Sequence, residues 1–170
     1  YNANNFFLNR VGKDKPKLRY NNFGYTFNGP IIKDKLHFFL SYEHPYHSAY
    51  NVFNSPLFPK ENVPYSITNN QILVKFNYQL NEKNLFSLRY SHNKPYAKNV
   101  GPGGIVAPEM GLNLFYQDDS FEGTWTAFPS DKTLNELRLQ YSRNYVKIDA
   151  KFPDSYTIYR VGMLYAGKFE

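Results

Sequence analysis

Cysteine is absent from this chain of 170 residues, and the chain has no long hydrophobic run. Without cysteine there is no disulfide framework, no thiolate metal site and no cysteine nucleophile. No stretch approaches the roughly 20 apolar residues of a membrane-spanning helix. A basic segment followed by an apolar one is also missing at the start. We therefore expect a signal peptide to be absent or already removed, and the start at Tyr1 without methionine suggests a fragment.

Aromatic side chains carry much of the apolar content. Only 42% of the residues are hydrophobic, but 19% are aromatic, including sixteen tyrosines and fifteen phenylalanines. Such amphipathic rings suit β-strands and membrane interfaces better than a helical core. The composition therefore favours a β-protein, and the length favours one domain.

The formal net charge of +6 raises the question of a polyanionic partner. Basic residues among aromatic ones could imitate a surface that binds single-stranded nucleic acid. However, no aromatic RNA-binding signature and no zinc-knuckle spacing accompany them, so no nucleic-acid partner is expected. The densest basic cluster is interrupted by Gly12 and Pro16, which indicates a solvated loop. Its members are Arg10, Lys13, Lys15, Lys17 and Arg19.

Six segments alternate apolar and polar residues with the period of two that a strand with unlike faces requires. The predicted strands are Tyr20–Ile32, Leu36–Glu43, Gln71–Leu80, Leu85–Ser91, Ser120–Ala127 and a long strand from Glu136 to about Ile148. Tight turns join them in pairs at Lys33–Lys35, Asn81–Asn84 and Pro129–Lys132. Pro30 has no N–H to donate, so it is expected where the ladder ends or is interrupted. Between Phe152 and Glu170 the pattern is ambiguous, and Thr157–Tyr165 could be a strand or a loop.

Two long connections separate the three hairpins. The first, His44–Asn70, contains four prolines and little periodicity, and the second, His92–Tyr116, contains a Gly-Pro-Gly-Gly run at Gly101–Gly104. Both are expected to be irregular, and the glycine run is expected to have an open, mobile backbone. Short turns on one side and long loops on the other are typical of an antiparallel transmembrane β-barrel. The predicted fold class is therefore all-β, with lipid on one side of the sheet.

A soluble antiparallel β-sandwich is the alternative, because its strands alternate in the same way. Such a module, if secreted, could bind glycans through loops rich in Tyr and Asn. The unequal loop lengths and the charged polar face favour the barrel. In a barrel, that polar face would line the lumen and provide the candidate ligand-binding residues, which are Lys75, Asn77, Arg89, Glu122 and Arg138.

Several runs also resemble the early barrel of TonB-dependent outer-membrane receptors, and most closely the Oar-like subgroup with an N-terminal carboxypeptidase-regulatory-like domain. The resemblance is carried by Asn2–Arg10, Lys15–Gly24 and above all Asn28–Phe39 with Ser41–Glu43. Phe76–Tyr90 is similar to a later hairpin, and a looser likeness extends to about Ile148.

This resemblance implies a barrel of about 22 strands closed around a plug in a Gram-negative-type outer membrane. Residues 1–170 would be part of that one barrel domain, without the plug, the TonB box or the C-terminal strands. It further implies import of an unknown ligand, with energy supplied through TonB by way of the missing N-terminal region. The turn at Lys33–Lys35 would be periplasmic, and the two long connections would be extracellular. Outer-membrane lipid and lipopolysaccharide are then expected partners, and the basic cluster that ends at Arg19 could contact lipopolysaccharide phosphates.

Catalytic and metal chemistry find little support. Glu43, His44 and His47 could form a shallow metal site, and Asp118 with Asp119 could help to bind a hard cation, but ordinary surface residues explain both groups. The glycine run lacks the Lys-Ser/Thr of a phosphate loop, and no Ser-His-Asp arrangement is recognisable. We therefore expect no enzyme activity, no metal and no cofactor. Trp125, Tyr42, Tyr78 and Tyr90 could join aromatic girdles at the membrane interfaces.

Overall fold

The computed structural model describes residues 10, 12, 17–151, 158–160 and 164–166. Ten β-strands and one 3₁₀ turn (Pro108–Met110) occur among them. The strands are β1 (Arg19–Ile32), β2 (Leu36–Phe53), β3 (Glu61–Thr68), β4 (Gln71–Asn81), β5 (Asn84–Asn93), β6 (Tyr96–Val100), β7 (Leu112–Ser130), β8 (Thr133–Ala150), β9 (Ile158–Arg160) and β10 (Leu164–Ala166). Strands β1 to β8 form one antiparallel sheet, and β9 and β10 form a separate antiparallel pair. The chain is therefore all-β, as the alternation predicted, and the described residues contain no helix long and apolar enough to span a membrane.

Long strands organise the sheet. The first half of β2, Leu36–Glu43, pairs with β4. The second half, Tyr46–Phe53, pairs with β3. Strands β3 and β4 therefore lie end to end as one interrupted strand. Strands β5 and β6 do the same against β7, which also pairs with β8. The sheet is thus an antiparallel meander with six strand positions, because β3 with β4 and β5 with β6 each occupy one position. Strands β1 and β8 are its edges.

The two interruptions lie side by side. Asn69–Asn70 separates β3 from β4, and Lys94–Pro95 separates β5 from β6. Backbone hydrogen bonds join them across the gap, since the N–H of Lys94 donates to the carbonyl of Asn70 at 2.9 Å. On the neighbouring strand, the carbonyl of Pro45 accepts from the N–H of Asn69 at 3.1 Å. Proline is tolerated here because the ladder is already incomplete.

The prediction of two long irregular connections is wrong. Within His44–Asn70, β2 continues to Phe53 and β3 follows, so the connecting loop is only Asn54–Lys60. Within His92–Tyr116, β6 and the start of β7 leave only 101–111 as loop. The prediction failed because prolines were taken as a sign of irregular structure. Pro45 lies opposite an interruption, and Pro64 lies beyond the part of β3 that pairs with β6, so neither breaks a complete ladder.

The two ends of the sheet differ, as predicted. At one end, which we call the turn end, residues 33–35, 82–83 and 131–132 reverse the chain. Asp34 adopts a positive φ of 59° in the first turn. At the other end, the loop end, the connections are 54–60 and 101–111. The register shifts between Pro30 and Ile32, which confirms the predicted interruption at Pro30.

The two faces of the sheet also differ. We call the face that carries Val74 and Phe76 the outer face and the face that carries Lys75 and Asn77 the inner face. Nearest the turn end, three consecutive registered rows of the outer face contain no charged side chain. Their members include Phe27, Leu36, Phe38, Leu40, Val74, Phe76, Tyr78, Phe86, Leu88, Tyr90, Phe121, Gly123, Trp125, Leu137, Leu139 and Tyr141.

Exposure of this apolar surface favours the barrel over the sandwich. Phe27 is 65% exposed, Leu139 68% and Tyr141 68%. A sandwich would bury such side chains against a second sheet. The described residues place no second sheet over this face, so the apolar face suits a hydrocarbon environment.

A small hydrophobic core lies at the loop end. Phe53, Val63 and Ala107 form its buried cluster, and Pro102 is completely buried. The predicted open backbone of Gly101–Gly104 is wrong, because this segment is hydrogen-bonded to β2. Gly104 donates to the carbonyl of Val52 at 2.8 Å and accepts from the N–H of Asn54 at 2.6 Å. The positive φ angles of the glycines in this segment explain why the run is rich in glycine.

Candidate functional site

A row of charged side chains crosses the inner face. Lys75 on β4 lies opposite Arg89 on β5, Arg89 lies opposite Glu122 on β7, and Glu122 lies opposite Gln140 on β8. Directly paired residues of an antiparallel sheet point to the same side, and neighbouring strands are about 4.8 Å apart. Three of the five predicted ligand-binding residues are therefore side by side.

The other two predicted residues lie in the adjacent row of the same face. In this row Asn77 lies opposite Ser87, and Arg138 lies opposite Thr124. Arg138 forms an ion pair with Glu136, with Nη2 2.8 Å from Oε1. The structure thus places all five on one surface but leaves Arg138 apart from Asn77, with two strands between them.

A cleft of about 240 Å³ opens within the charged row. Arg89, Ser91, Ser120, Glu122 and Gln140 line it. Although Arg89 and Glu122 are registered partners, no ion pair joins them in the described part of the chain. The cleft therefore offers a guanidinium with several N–H donors, a carboxylate and hydroxyl groups. This combination can bind a polar ligand by charge-assisted hydrogen bonds.

Sequence reasoning missed an amide-rich network on the inner face, nearer the loop end. Asp118 accepts from Nδ2 of Asn144 at 2.5 Å and from Nδ2 of Asn93 at 3.3 Å. Asn93 in turn accepts from Nδ2 of Asn69 at 2.7 Å. The Oδ1 atom of Asn69 is buried without a partner among the described residues. The network could have been found by continuing the apolar–polar alternation of the strands past Ser91 and before Ser120. This continuation places Asn93 and Asp118 on the inner face.

Asp118 and Asp119 do not form a cation site. They are adjacent in β7 and therefore point to opposite faces. The Asp119 carboxylate lies on the outer face and accepts hydrogen bonds from Tyr90 Oη at 2.7 Å and Gln117 Nε2 at 2.8 Å. His92 Nδ1 is 2.6 Å from the same carboxylate. These contacts satisfy a charged group on a face that is otherwise mostly apolar.

The Glu43, His44 and His47 group is also divided between the faces. Glu43 and His47 lie on the inner face, four residues apart, and His44 lies on the outer face. His44 Nδ1 contacts Asn70 Oδ1 at 2.9 Å, and its Nε2 contacts Thr68 Oγ1 at 3.2 Å. No group of three potential metal ligands occurs in the described parts of the chain.

The loop at 101–111 folds over the inner face. Asn51 and Phe53 have the same parity as Glu43 on β2, so they lie on that face. Nδ2 of Asn51 donates to the carbonyl of Pro102 at 2.9 Å, and Phe53 packs in the loop-end core with Ala107. The loop therefore narrows the approach to the inner face from the loop end.

Aromatic rings occupy two levels of the outer face. Near the turn end, Trp125 stacks on Phe86 with ring centroids 6.2 Å apart. Nearer the loop end, Tyr96 stacks on Phe115 at 4.5 Å. The predicted girdle residues Tyr42, Tyr78, Tyr90 and Trp125 all lie on this face.

Only part of the predicted basic cluster can be placed. Lys13 and Lys15 lie outside the described residues. Lys17 is exposed before β1, and Arg19 is exposed at the first position of β1, opposite Ser48.

The segment Thr157–Tyr165, which could be a strand or a loop, is described in part. Thr157 lies outside the described residues, and the rest of the segment includes β9 and the start of β10.

Comparison with known proteins gives one match. A family model described as an outer membrane beta barrel domain matches residues 1–63 and 46–167. These overlapping segments include every strand of the large sheet. No curated protein and no solved structure matches the chain significantly.

Proposed function

Because the chain belongs to the outer membrane beta barrel domain family, we propose that its sheet is part of the wall of a TonB-dependent receptor that binds a polar ligand and takes part in its uptake. Family membership places the protein in the outer membrane. In such barrels the short turns are periplasmic and the longer loops extracellular. The turn end is accordingly periplasmic, and the loop end faces the outside of the cell.

The observation that carries this proposal is the contrast between the two faces. The outer face presents three charge-free rows, and the inner face presents the row of Lys75, Arg89, Glu122 and Gln140. A lipid-facing wall requires charge-free rows, and a polar lumen accommodates a charged row. The cleft between Arg89 and Glu122 is the proposed ligand contact.

Strand length supports a role in binding from outside. A tilted strand needs roughly 9–11 residues to cross the membrane, whereas β2 has 18 residues and β7 has 19. Both strands therefore extend beyond the membrane at the loop end, where the loop at 101–111 folds over the inner face. Exposed segments on a rigid scaffold are common sites of binding.

The finer assignment, to the Oar-like receptors with TonB as partner, rests on the sequence resemblance centred on Asn28–Phe39. The proposal assigns no chemical reaction, cofactor or metal to this chain. The β-sandwich alternative receives no comparable support, because its apolar face would have to be covered.

Uptake experiments on the intact protein test the proposal. Molecules from spent culture medium that the purified protein retains in mild detergent are identified by mass spectrometry. Their accumulation is then measured in cells that produce the wild-type protein or the Arg89→Gln/Glu122→Gln variant. We expect the variant to accumulate less, and a protonophore, which removes the energy that TonB transmits, to abolish accumulation by the wild type.

A strain without TonB provides the matched control. Its accumulation should equal that of protonophore-treated cells. Accumulation that persists without TonB would show a passive pore and would contradict the receptor proposal.

A further inference from the structure

A cavity of about 440 Å³, which we call the loop-end cavity, lies between the two loops of the loop end. Its apolar lining includes Phe53, Phe58, Ala107 and Pro108. Phe53 ends β2 on the inner face, and its registered partner Glu61 begins β3. The volume lies in the range of small-molecule pockets, roughly 300–1,000 Å³.

Backbone hydrogen bonds hold both walls of the cavity in place. The N–H of Asn54 donates to the carbonyl of Gly104 at 2.6 Å, so the two loops are joined directly. Within the second loop, the N–H of Met110 donates to the carbonyl of Ala107 at 3.0 Å and closes the 3₁₀ turn. Walls that are fixed in this way reduce the entropic cost of ordering a binding site around a ligand.

The cavity is opposite in charge to the chain as a whole. Glu61 and Glu109 supply two carboxylates and Lys60 supplies one ammonium group, so the lining has a formal charge of −1, whereas the chain has +6. No ion pair joins these three side chains within the residues that the structure describes. The carboxylates can therefore accept charge-assisted hydrogen bonds from a cationic ligand.

Two phenylalanine rings provide a second reason to expect a cation. Phe53 is 4% exposed and is a packed part of the wall, whereas Phe58 is 53% exposed and is accessible to an entering molecule. Cations are attracted to the faces of aromatic rings, and apolar groups gain free energy when such rings remove them from water. The lining therefore matches an ammonium group attached to an apolar body that contains a ring.

We propose that the loop-end cavity binds a small organic amine with an apolar, ring-containing body. Charge complementarity selects the ammonium group, and the phenylalanine rings select the apolar body. The site goes beyond the proposed function, because binding here requires neither TonB nor the cleft between Arg89 and Glu122. In the proposed orientation, the cavity lies at the extracellular end of the sheet, where an amine from outside first meets the protein.

Equilibrium dialysis with radiolabelled phenethylamine tests the proposal on the intact protein in mild detergent, after subtraction of the amine held by protein-free micelles. Glu61→Gln/Glu109→Gln is compared with Glu82→Gln/Asp131→Asn, which removes the same charge from two turns at the turn end. We expect the first variant to bind the amine about tenfold more weakly than wild type, and the control to bind it as wild type does. Equal affinities of the two variants would overturn the proposal.

A neutral ligand with the same ring separates the two parts of the recognition. Phenethyl alcohol should bind wild type about tenfold more weakly than the amine does, and the loss of both carboxylates should leave its binding unchanged. Phe58→Ala should weaken both ligands by a similar factor, because it removes an apolar contact that they share. Equal binding of the alcohol and the amine to wild type would overturn the choice of a cation.

Two controls address an inorganic cation and the inner-face cleft. Calcium chloride should displace the amine no better than sodium chloride does at equal ionic strength, and specific displacement by calcium would overturn the organic ligand. Arg89→Gln/Glu122→Gln should bind the amine as wild type does, and loss of binding would move the site to the cleft. Failure of TonB-dependent uptake therefore leaves the amine result intact, and absence of amine binding leaves the receptor proposal intact.

Discussion

The indole Nε1 of Trp125 donates a hydrogen bond to Oδ1 of Asn84 at 3.0 Å, on the outer face near the turn end. Trp125 is 42% exposed, and the polar edge of its indole is directed to an amide at the start of β5. This arrangement suits a tryptophan at a membrane interface, where one edge is polar and the ring contacts lipid.

Lipid quenching of tryptophan fluorescence should place Trp125 at the interface. Trp125 is the only tryptophan in this chain, and the difference between wild type and Trp125→Phe isolates its signal in the intact protein. We expect lipids brominated near the head group to quench this signal more strongly than lipids brominated near the end of the acyl chain, because interfacial indoles lie at the head-group level. No quenching by either lipid would contradict the lipid-facing position.

Unequal losses of stability are expected at two positions of β4 that lie on different faces of the sheet. Val74 lies on the outer face between Leu40 and Tyr90, and Asn77 lies on the inner face between His37 and Ser87. Val74→Lys should lower the free energy of unfolding by about 2–4 kcal/mol if the residue is near the membrane midplane, whereas Asn77→Lys should cost far less. Equilibrium unfolding in liposomes measures both, and equal costs would contradict the assignment of faces.

Cysteine labelling provides an independent check at the same two positions. The chain has no native cysteine that would react. Val74→Cys should react only with a membrane-dissolved maleimide, and Asn77→Cys only with a water-soluble one. Reaction of both with the soluble reagent would show that Val74 does not face lipid.

The charges of the inner-face cleft should affect binding more than folding. Removing the charge of Arg89 with Arg89→Gln should weaken binding of a retained anionic ligand about tenfold. It should change the free energy of unfolding by less than about 0.5 kcal/mol, because the side chain is exposed. Arg138→Gln removes the same charge from the same face outside the cleft, and it should leave affinity unchanged. Titration calorimetry measures these affinities, and equal losses for the two variants would exclude the cleft as the contact.

Two glycines of β1 should respond differently to alanine. A Cβ at Gly24 would lie 2.5 Å from the backbone carbonyl oxygen of Tyr42, whereas at Gly29 the nearest atom is a ring carbon of Phe38 at 3.7 Å. Gly24→Ala should therefore lower the free energy of unfolding by about 1–3 kcal/mol, since backbone cannot move aside easily. Gly29→Ala is the matched control in the same strand. Equal stabilities in liposome unfolding would show that β1 can shift away from β2 at no cost.

Local sequence determined the strands nearest the turn end and their faces. In Gln71–Leu80, the alternation around Lys75 was enough to predict an outer Val74 and an inner Asn77, because successive side chains of a strand point to opposite sides. Turn residues likewise placed the reversals at Lys33–Lys35 and Pro129–Lys132. The resulting surface contained all five predicted ligand-binding residues.

Tertiary pairing decided what lies nearer the loop end. Strands β3 and β6 contain or adjoin prolines, and they are strands only because β2 and β7 extend alongside them. Sequence could not show that Asn69–Asn70 and Lys94–Pro95 would lie side by side, since backbone hydrogen bonds between distant segments depend on register. The amide network around Asp118 and the folding of the 101–111 loop over the inner face also depend on pairing between distant segments, so the sequence did not predict them. Alternation within one segment predicts which way a side chain points, but only pairing between segments determines which side chains meet.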